Sequence, residues 1–374
     1  MIDFVQVRNA NFETIGIIDT AQSIIWHKVY YSVGDFEIYV QVTQTNIELL
    51  QKGYYITRPN DDEVGVIEQI EITRNPQDGL MIVANGRFAK SILERRIIYT
   101  LSGHQNSATI LRGNVESAAR ALVANNATAC SFNTKRNIPQ LRLGSHSGST
   151  KIIRDGSGNA AKKQVTNDNL LEYTDALLQE YEMSAKVVLA SDESKLEYVC
   201  FEGIDRSADN ESGIDSVVFS SDFDNLMDSD YLSSDKPLKN MALIGGEGEG
   251  LDRFYSSIET DKTGLARREV FINGAQIQRK YTDEQEQEQE YTDSEYAGLL
   301  DSLGKLNLAQ MIQIESFSGT INMASEMYVL GIDYALGDIV TIQDNEIGVY
   351  ANVRITETTE VQDDNGYTVT LGYE

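Results

Sequence analysis

Three histidines, two cysteines and 58 carboxylates are the side chains from which an active centre could be built. His27 falls in an alternating run from Ile24 to Tyr31, His104 in a polar turn and His146 in a Gly/Ser loop. None has a second His or Cys at metal-ligand spacing, and there is no HExxH. A Ser–His–Asp triad assembles in space, so distance along the chain does not exclude one, but no GxSxG elbow points to a serine. Cys130 and Cys200 fit neither a disulfide framework nor a CxxC knuckle; a lone long-range disulfide is the alternative to two free thiols. Gly245–Gly250 lacks the Gly-Lys-Ser/Thr ending of a phosphate loop, and Glu247 and Glu249 would repel phosphate, so a bend between domains is expected. Two acidic strings invite a calcium reading. Asp222-Phe223-Asp224 with Asp228-Ser229-Asp230 has Leu226 where an EF-hand needs oxygen, and the string starting at Asp155 has Ala160 and Thr166 where it needs Gly and Glu. Paired carboxylates for glycoside hydrolysis can be neither rejected nor located. No catalytic, cofactor-binding or metal-ligating residue is therefore assigned, and no cofactor is expected.

The elements that would position any such group come next. The 374 residues carry 31 Lys+Arg against 58 Asp+Glu, a formal charge of −27. That excess opposes phosphate neutralisation, so neither nucleic-acid binding nor an anionic membrane surface is expected. With 41% hydrophobic residues, 19 Tyr and 11 Phe, the chain has the material for packed cores. Met1–Val5 has no basic or apolar signal region, and no apolar stretch reaches the roughly 18 residues of a bilayer span. Strand-like runs fill the first hundred residues (Ile15–Ile18, Ile24–Tyr31, Phe36–Val40, Tyr54–Thr57). A hairpin follows, pairing Val64–Thr73 with Leu80–Asn85. Thr45 and Glu48 have the spacing of a capping box for a short helix that Gly53 ends. Helical stripes follow behind Asn114 (Val115 to Val123) and Asp168 (Leu170 to Tyr181), then strands at Ser184–Leu189 and Lys195–Phe201. Glu202–Asp235 holds ten acids and one base, Arg206. Glu284–Leu308 reads as one helix, with Tyr296, Leu299, Leu300, Leu303 and Leu306 as its apolar side.

The pattern of the first hundred residues returns at the far end. Leu50–Thr57 is echoed by Ala335–Thr341, Val64–Thr73 by Ile347–Thr356, and the turn Asp78-Gly79 by Asn365-Gly366, each turn suited to a tight hairpin. The shared order of parts goes beyond the period-2 alternation of any two strands. Two related β-barrels in one chain are expected.

Trp26-x-x-x-Tyr30-Tyr31-x-x-Gly34-x-Phe36-Glu37 resembles the opening of the tail-associated hub proteins of long-tailed siphophages. Gly86-Arg87-Phe88-x-x-x-Ile92-Leu93-x-Arg95-Arg96 and Asn240–Gly250 followed by Arg253 are similar to that family's next landmarks. The resemblance implies an α+β, mainly antiparallel β fold: two related β-barrels with two inserted α/β domains, in a trimeric hub. Residues 1–104 would be the first barrel and 105–202 an inserted α/β domain. Residues 203–249 and 326–374 would be the two parts of the second barrel, around an inserted β/helix domain at 250–325. A trimer of such a chain presents six similar barrels, which would adapt a six-fold tail tube to a three-fold tip. The implied partners are two further copies, the distal tail protein, the C-terminal part of the tape-measure protein, and receptor-binding or fibre proteins. No sequence-specific nucleic-acid binding and no membrane-spanning segment are expected. The implied location is the tail tip or baseplate of a virion, after synthesis in the host cytoplasm. Acidic residues would either line a channel and keep DNA from sticking, or face outward for solubility. The stop at Glu374 leads to the expectation of no appended fibre, carbohydrate binder or hydrolase. A peptidoglycan-cleaving lysin and a wall-saccharide receptor binder are the alternatives, the latter lacking an exposed aromatic platform since Trp26 lies in a strand.

Overall fold

The computed structural model describes residues 2, 4–76, 79–99, 109–154, 159–165, 167–282, 287–322, 327–345 and 348–374. Asp78, His104, the string starting at Asp155, Thr166, the helical reading at Glu284 and Ile347, all used above, lie outside the described residues. The chain begins with β1 (Val5–Arg8), β2 (Thr14–Ile18), β3 (Ser23–Val29), β4 (Asp35–Gln41), helix α1 (Gln44–Leu49), β5 (Tyr55–Thr57), β6 (Gly65–Asn75) and β7 (Gly79–Phe88). It continues through β8 (Thr109–Arg112), α2 (Val115–Val123), β9 (Leu141–Leu143), β10 (Lys162–Val165) and α3 (Leu170–Gln179). Next come β11 (Ser184–Leu189), β12 (Leu196–Phe201), β13 (Val218–Ser220) and β14 (Leu226–Ser234). They lead into β15 (Met241–Gly245), β16 (Tyr255–Ile258), β17 (Glu269–Asn273), β18 (Lys280–Thr282), β19 (Glu288–Glu290) and α4 (Asp293–Leu308). The last strands are β20 (Ile314–Ile321), β21 (Ile339–Asp344), β22 (Val349–Asp363) and β23 (Gly366–Tyr373). Antiparallel pairing dominates; β13–β21 and β15–β17 are parallel pairs.

Two compact units emerge: Met1–Ser91 with Ser184–Leu232 and Glu315–Glu374, and Ile92–Met183 with Ser233–Ile314. The first unit holds a 13-stranded sheet whose order is β2-β1-β5-β6-β7-β4-β3-β22-β23-β20-β14, with β21 on β22 and β13 on β21. It has two lobes with separate cores. Trp26, Phe36, Ile38, Val40, Ile56 and Phe88 belong to the N-terminal core, and Phe219, Val340, Ile342, Ile355, Leu371 and Tyr373 to the C-terminal one. Alternation explains both: β4 buries Phe36, Ile38 and Val40 and turns Glu37, Tyr39 and Gln41 outward. No closed barrel forms among the described residues, because the ladder runs from one lobe into the next through β3 and β22.

The lobes share a strand order, β1-β5-β6-β7-β4-β3 against β13-β21-β22-β23-β20-β14, and differ in direction at one end, where β1 is antiparallel to β5 and β13 parallel to β21. Their hydrogen bonds coincide as well. Gly53 N donates to Ile67 O and Ile67 N to Tyr54 O at 2.8 and 2.9 Å; Gly337 N donates to Ile355 O and Ile355 N to Asp338 O, both at 2.8 Å. Each long strand then has a bulge, after Ile67 and after Ile355. Beyond it, Gln69–Asn75 pairs back to Gly79 and Glu357–Asp363 back to Gly366, seven pairs in each case. This corrects the sequence alignment in one respect. The match of Leu50–Thr57 to Ala335–Thr341 holds, but Ile67 corresponds to Ile355 and not to Tyr350, because β22 begins with a longer stretch paired to β21.

In the second unit, α2 is capped by Asn114, whose Oδ1 accepts from Ser117 N at 2.9 Å. Three helix starts differ from the sequence reading. Thr43 rather than Thr45 caps α1, accepting from Asn46 N at 3.0 Å. Asn169 rather than Asp168 caps α3, accepting from Leu171 N at 2.9 Å. The helix read from Glu284 starts only at Asp293, behind a capping box of Thr292 and Glu295, and Glu288–Glu290 pairs as a strand with Lys280–Thr282. Gly245–Gly250 is also not an interdomain bend. It lies in the connection from β15 to β16, neighbouring strands of the sheet β16-β15-β17. A side chain at Gly246 would meet Tyr296 Oη at 2.8 Å, which is the space glycine leaves for the bond from Glu247 N to that oxygen.

Candidate functional site

The most strongly built polar constellation lies where the lobes join in the first unit. Strand parity places Lys28 on the same face as Ile24 and Trp26, and the chain after β5 brings Arg58 and Asp61 beneath them. Asp61 Oδ2 receives Lys28 Nζ at 2.9 Å, Arg58 Nη2 at 2.8 Å and Trp26 Nε1 at 3.1 Å. Its Oδ1 receives Glu63 N at 3.0 Å. Arg58 Nη1 also reaches Glu360 Oε2 of β22 at 2.9 Å, and the Tyr367 hydroxyl donates to the same oxygen at 2.5 Å. The Arg58 guanidinium lies 5.1 Å from the centre of the Trp26 ring. One guanidinium thus ties the N-terminal lobe to the C-terminal one, beside the backbone ladder in which Val29–Ser23 pairs with Glu357–Asp363.

Burial alone would raise the Asp61 pKa, but Lys28 and Arg58 outweigh it and hold the carboxyl well below its ordinary range. Glu63 goes the other way. Desolvation dominates over the pull of Lys28, and its pKa is pushed up to about 7. Burial would lower the Lys28 pKa, yet Asp61 and Glu63 raise it overall.

Beside the network an open cleft of about 630 Å³ is lined by Lys28, Glu63, Lys186, Arg206, Tyr334 and Asp338, among others. Its cations are paired with acids: Lys186 with Asp62 at 2.5 Å, and Arg206 with Asp338 at 2.8 Å. Asp338 also accepts from Ile204 N and Ala335 N at 2.7 and 3.0 Å. The residues around the cleft include no Ser, Thr, Cys or His among those described. Gly337, next to Asp338, has φ +96°, and a Cβ there would sit 2.3 Å from the Tyr30 ring, so glycine is required on both counts.

The residues weighed from sequence are dispersed. His27 lies on the lobe seam, with Nδ1 3.3 Å from Asp35 and Nε2 3.6 Å from Glu357; the bond to Glu357 first, then Asp35, raises its pKa against burial. His146 Nδ1 is 3.4 Å from buried Glu116, which also accepts from Ser147 N at 2.8 Å. Cys130 and Cys200 are buried and are not joined in a disulfide. Asp222 bonds Asn345, while Asp228 and Asp230 are exposed on β14. No group of three or more His, Cys, Asp or Glu able to hold a metal occurs among the described residues, and no helix is long and apolar enough to cross a membrane. Sequence reasoning missed the Arg58–Asp61–Lys28–Glu360 network; the parity of Lys28 with Trp26 was its one readable signal. The motif aromatics meet in one core, with Trp26 5.8 Å from Phe36 and 4.9 Å from Phe88.

Comparison with known proteins fits this architecture. No curated protein matches the chain. Among solved structures, the tail protein from Neisseria meningitidis MC58 is similar with a TM-score of 0.57 and 11% identity, covering 99% of this chain and 95% of that one. The 43 kDa tail protein of prophage MuSo2 from Shewanella oneidensis is similar with a TM-score of 0.56 and 13% identity, covering 99% and 98%. These likenesses show a shared fold. The family model described as Siphovirus ReqiPepy6 Gp37-like protein matches residues 4–373, and the chain belongs to that family.

Proposed function

We propose that this protein is a phage tail protein, a non-enzymatic baseplate hub, three copies of which form a pseudo-six-fold ring at the tip of the tail. The observation that carries this reading is the coincidence of two lobes in strand order, bulge position and hydrogen bonding. One chain then contributes two equivalent sectors, and three-fold assembly imitates six-fold geometry. On this reading 1–104 is one barrel-like sector and 203–249 with 326–374 the other, with 105–202 and 250–325 as inserted domains. The ring would seat on the tail tube and distal tail protein and gate the passage of tape measure and DNA.

Electron microscopy of the purified protein tests the proposal. Class averages along the particle axis are expected to show six similar lobes around a channel, with a light-scattering mass of three chains. A monomer at every concentration, or a ring with another number of lobes, would overturn it.

A further inference from the structure

The second unit holds an open cleft of its own, about 430 Å³, between the start of α3, strand β17 and the end of α4. The charged residues of its wall are Asp168 and Glu172, four residues apart, and the wall includes no lysine, arginine or histidine among the described residues. Neither carboxylate has an ion-pair or hydrogen-bond partner among the described residues. Burial first, then Glu172, raises the Asp168 pKa, as expected of a carboxylate with no cation beside it. Tyr173 belongs to the same wall: it is 7% exposed, and its hydroxyl makes no hydrogen bond among the described residues. A buried phenol without a partner is uncommon and points to one supplied from outside. Gln276 and Gln310 add two unbonded amides, and Phe271, 52% exposed, adds an aromatic face.

Strand β17 is also an edge, paired with β15 and with no other strand among the described residues. Arg268 O accepts from Met241 N at 3.2 Å, and Gly274 N donates to Gly245 O at 2.8 Å. Main-chain groups alternate along a strand, so Val270 and Ile272 also face β15, while Phe271 and Asn273 turn their N–H and C=O groups to the other side. Residues of β17 line the cleft and those of β15 do not, so the cleft runs along that unpaired side. Such an edge is a template for an added strand.

We infer that the cleft takes an extended segment of a partner protein, which adds a strand to β17 and sets an arginine side chain against Asp168 and Glu172. A guanidinium carries donors only, and the unbonded groups of the cleft offer the acceptors it needs: two carboxylates, two amide oxygens and the phenol oxygen. Its flat face stacks on an aromatic ring such as Phe271. The unpaired main chain of β17 selects a polypeptide, since a free amine or a sugar would leave that edge unused. Two carboxylates without a cation select against an acidic segment. This binding role is separate from the hub reading and holds for a single chain.

Affinity selection with the full chain tests this. Three pools of acetylated, amidated heptapeptides carry mixed residues around a central arginine, citrulline or glutamate, and peptides retained by the protein are identified by mass spectrometry. The arginine pool is expected to be retained and the other two not. The tightest arginine peptide is then titrated calorimetrically. Replacing its arginine by citrulline, which keeps the shape and removes the charge, is expected to weaken binding about tenfold or more. N-methylation at alternate residues, which blocks strand addition, is expected to do the same, as is the double variant D168N/E172Q with unchanged circular dichroism. Equal retention of the three pools, or of none, would overturn the proposal. So would undiminished binding to D168N/E172Q, which would place the peptide elsewhere on this acidic chain. Arginine amide alone binding as tightly as the peptide, or an N-methylated peptide binding equally well, would show a small-cation site and overturn the strand addition.

Discussion

At the scale of single residues, the buried charges of the lobe seam set the pH response. Desolvation lifts Glu63 to about 7 from an ordinary 4.5. A raised folded-state value means that the folded chain binds this proton more tightly than the unfolded one. The resulting stabilisation is fully present below about pH 4.5 and is lost as pH rises through 7. It amounts to at most about 3 kcal/mol. In E63Q this contribution is absent, so the change in urea-unfolding free energy between pH 5 and pH 8 is expected to shrink; an unaltered slope would refute the assignment. Arg58 acts differently. R58M leaves Asp61 and Glu360 buried with one cation fewer, and a loss of about 3–5 kcal/mol is expected from denaturant unfolding. Little of this was legible. Arg58 and Glu360 are 302 residues apart, and no periodicity in one sequence links them.

Elements were more readable, because their signals are local. Strands β3 and β4 and helices α2 and α3 follow from alternation, apolar stripes and caps, and the structure moves their ends by a residue or two. The larger error, at α4, arose because a run of acids resembles a helix N-terminus whether or not a cap is present. The capping box instead fixes the start: Thr292 Oγ1 accepts from Glu295 N at 3.3 Å while Glu295 Oε2 accepts from Thr292 N at 3.0 Å. T292A is expected to cost about 1 kcal/mol. Hydrogen exchange should speed up in the first turn of α4, around Glu295 and Tyr296, and leave α2 and α3 unaffected. The repeat was legible in its landmark glycines, Gly53 and Gly337, both at positive φ. Its register was not: the extra β21–β22 pairs lengthen the second copy, and the Gly-Val match of Gly65-Val66 to Gly348-Val349 lies five residues before the true counterpart.

At the scale of the whole molecule, the formal charge of −27 bears on assembly. Like charges meet wherever copies of so acidic a chain join, so the proposed trimer is expected to dissociate less at about 1 M salt, where the screening length is about 3 Å, than at low salt, as read by sedimentation. Incubating the protein with host cell walls is expected to release no peptidoglycan fragments; soluble fragments would favour a lysin.

Strand β22 is fifteen residues long and serves β21, β23 and β3. Melting one lobe strips hydrogen bonds from the other, so the paired lobes should denature together in calorimetry rather than in two steps. A tension applied at the shared strand would likewise load several ladders in parallel, as in a laminated hoop, so that no single ladder carries the whole force.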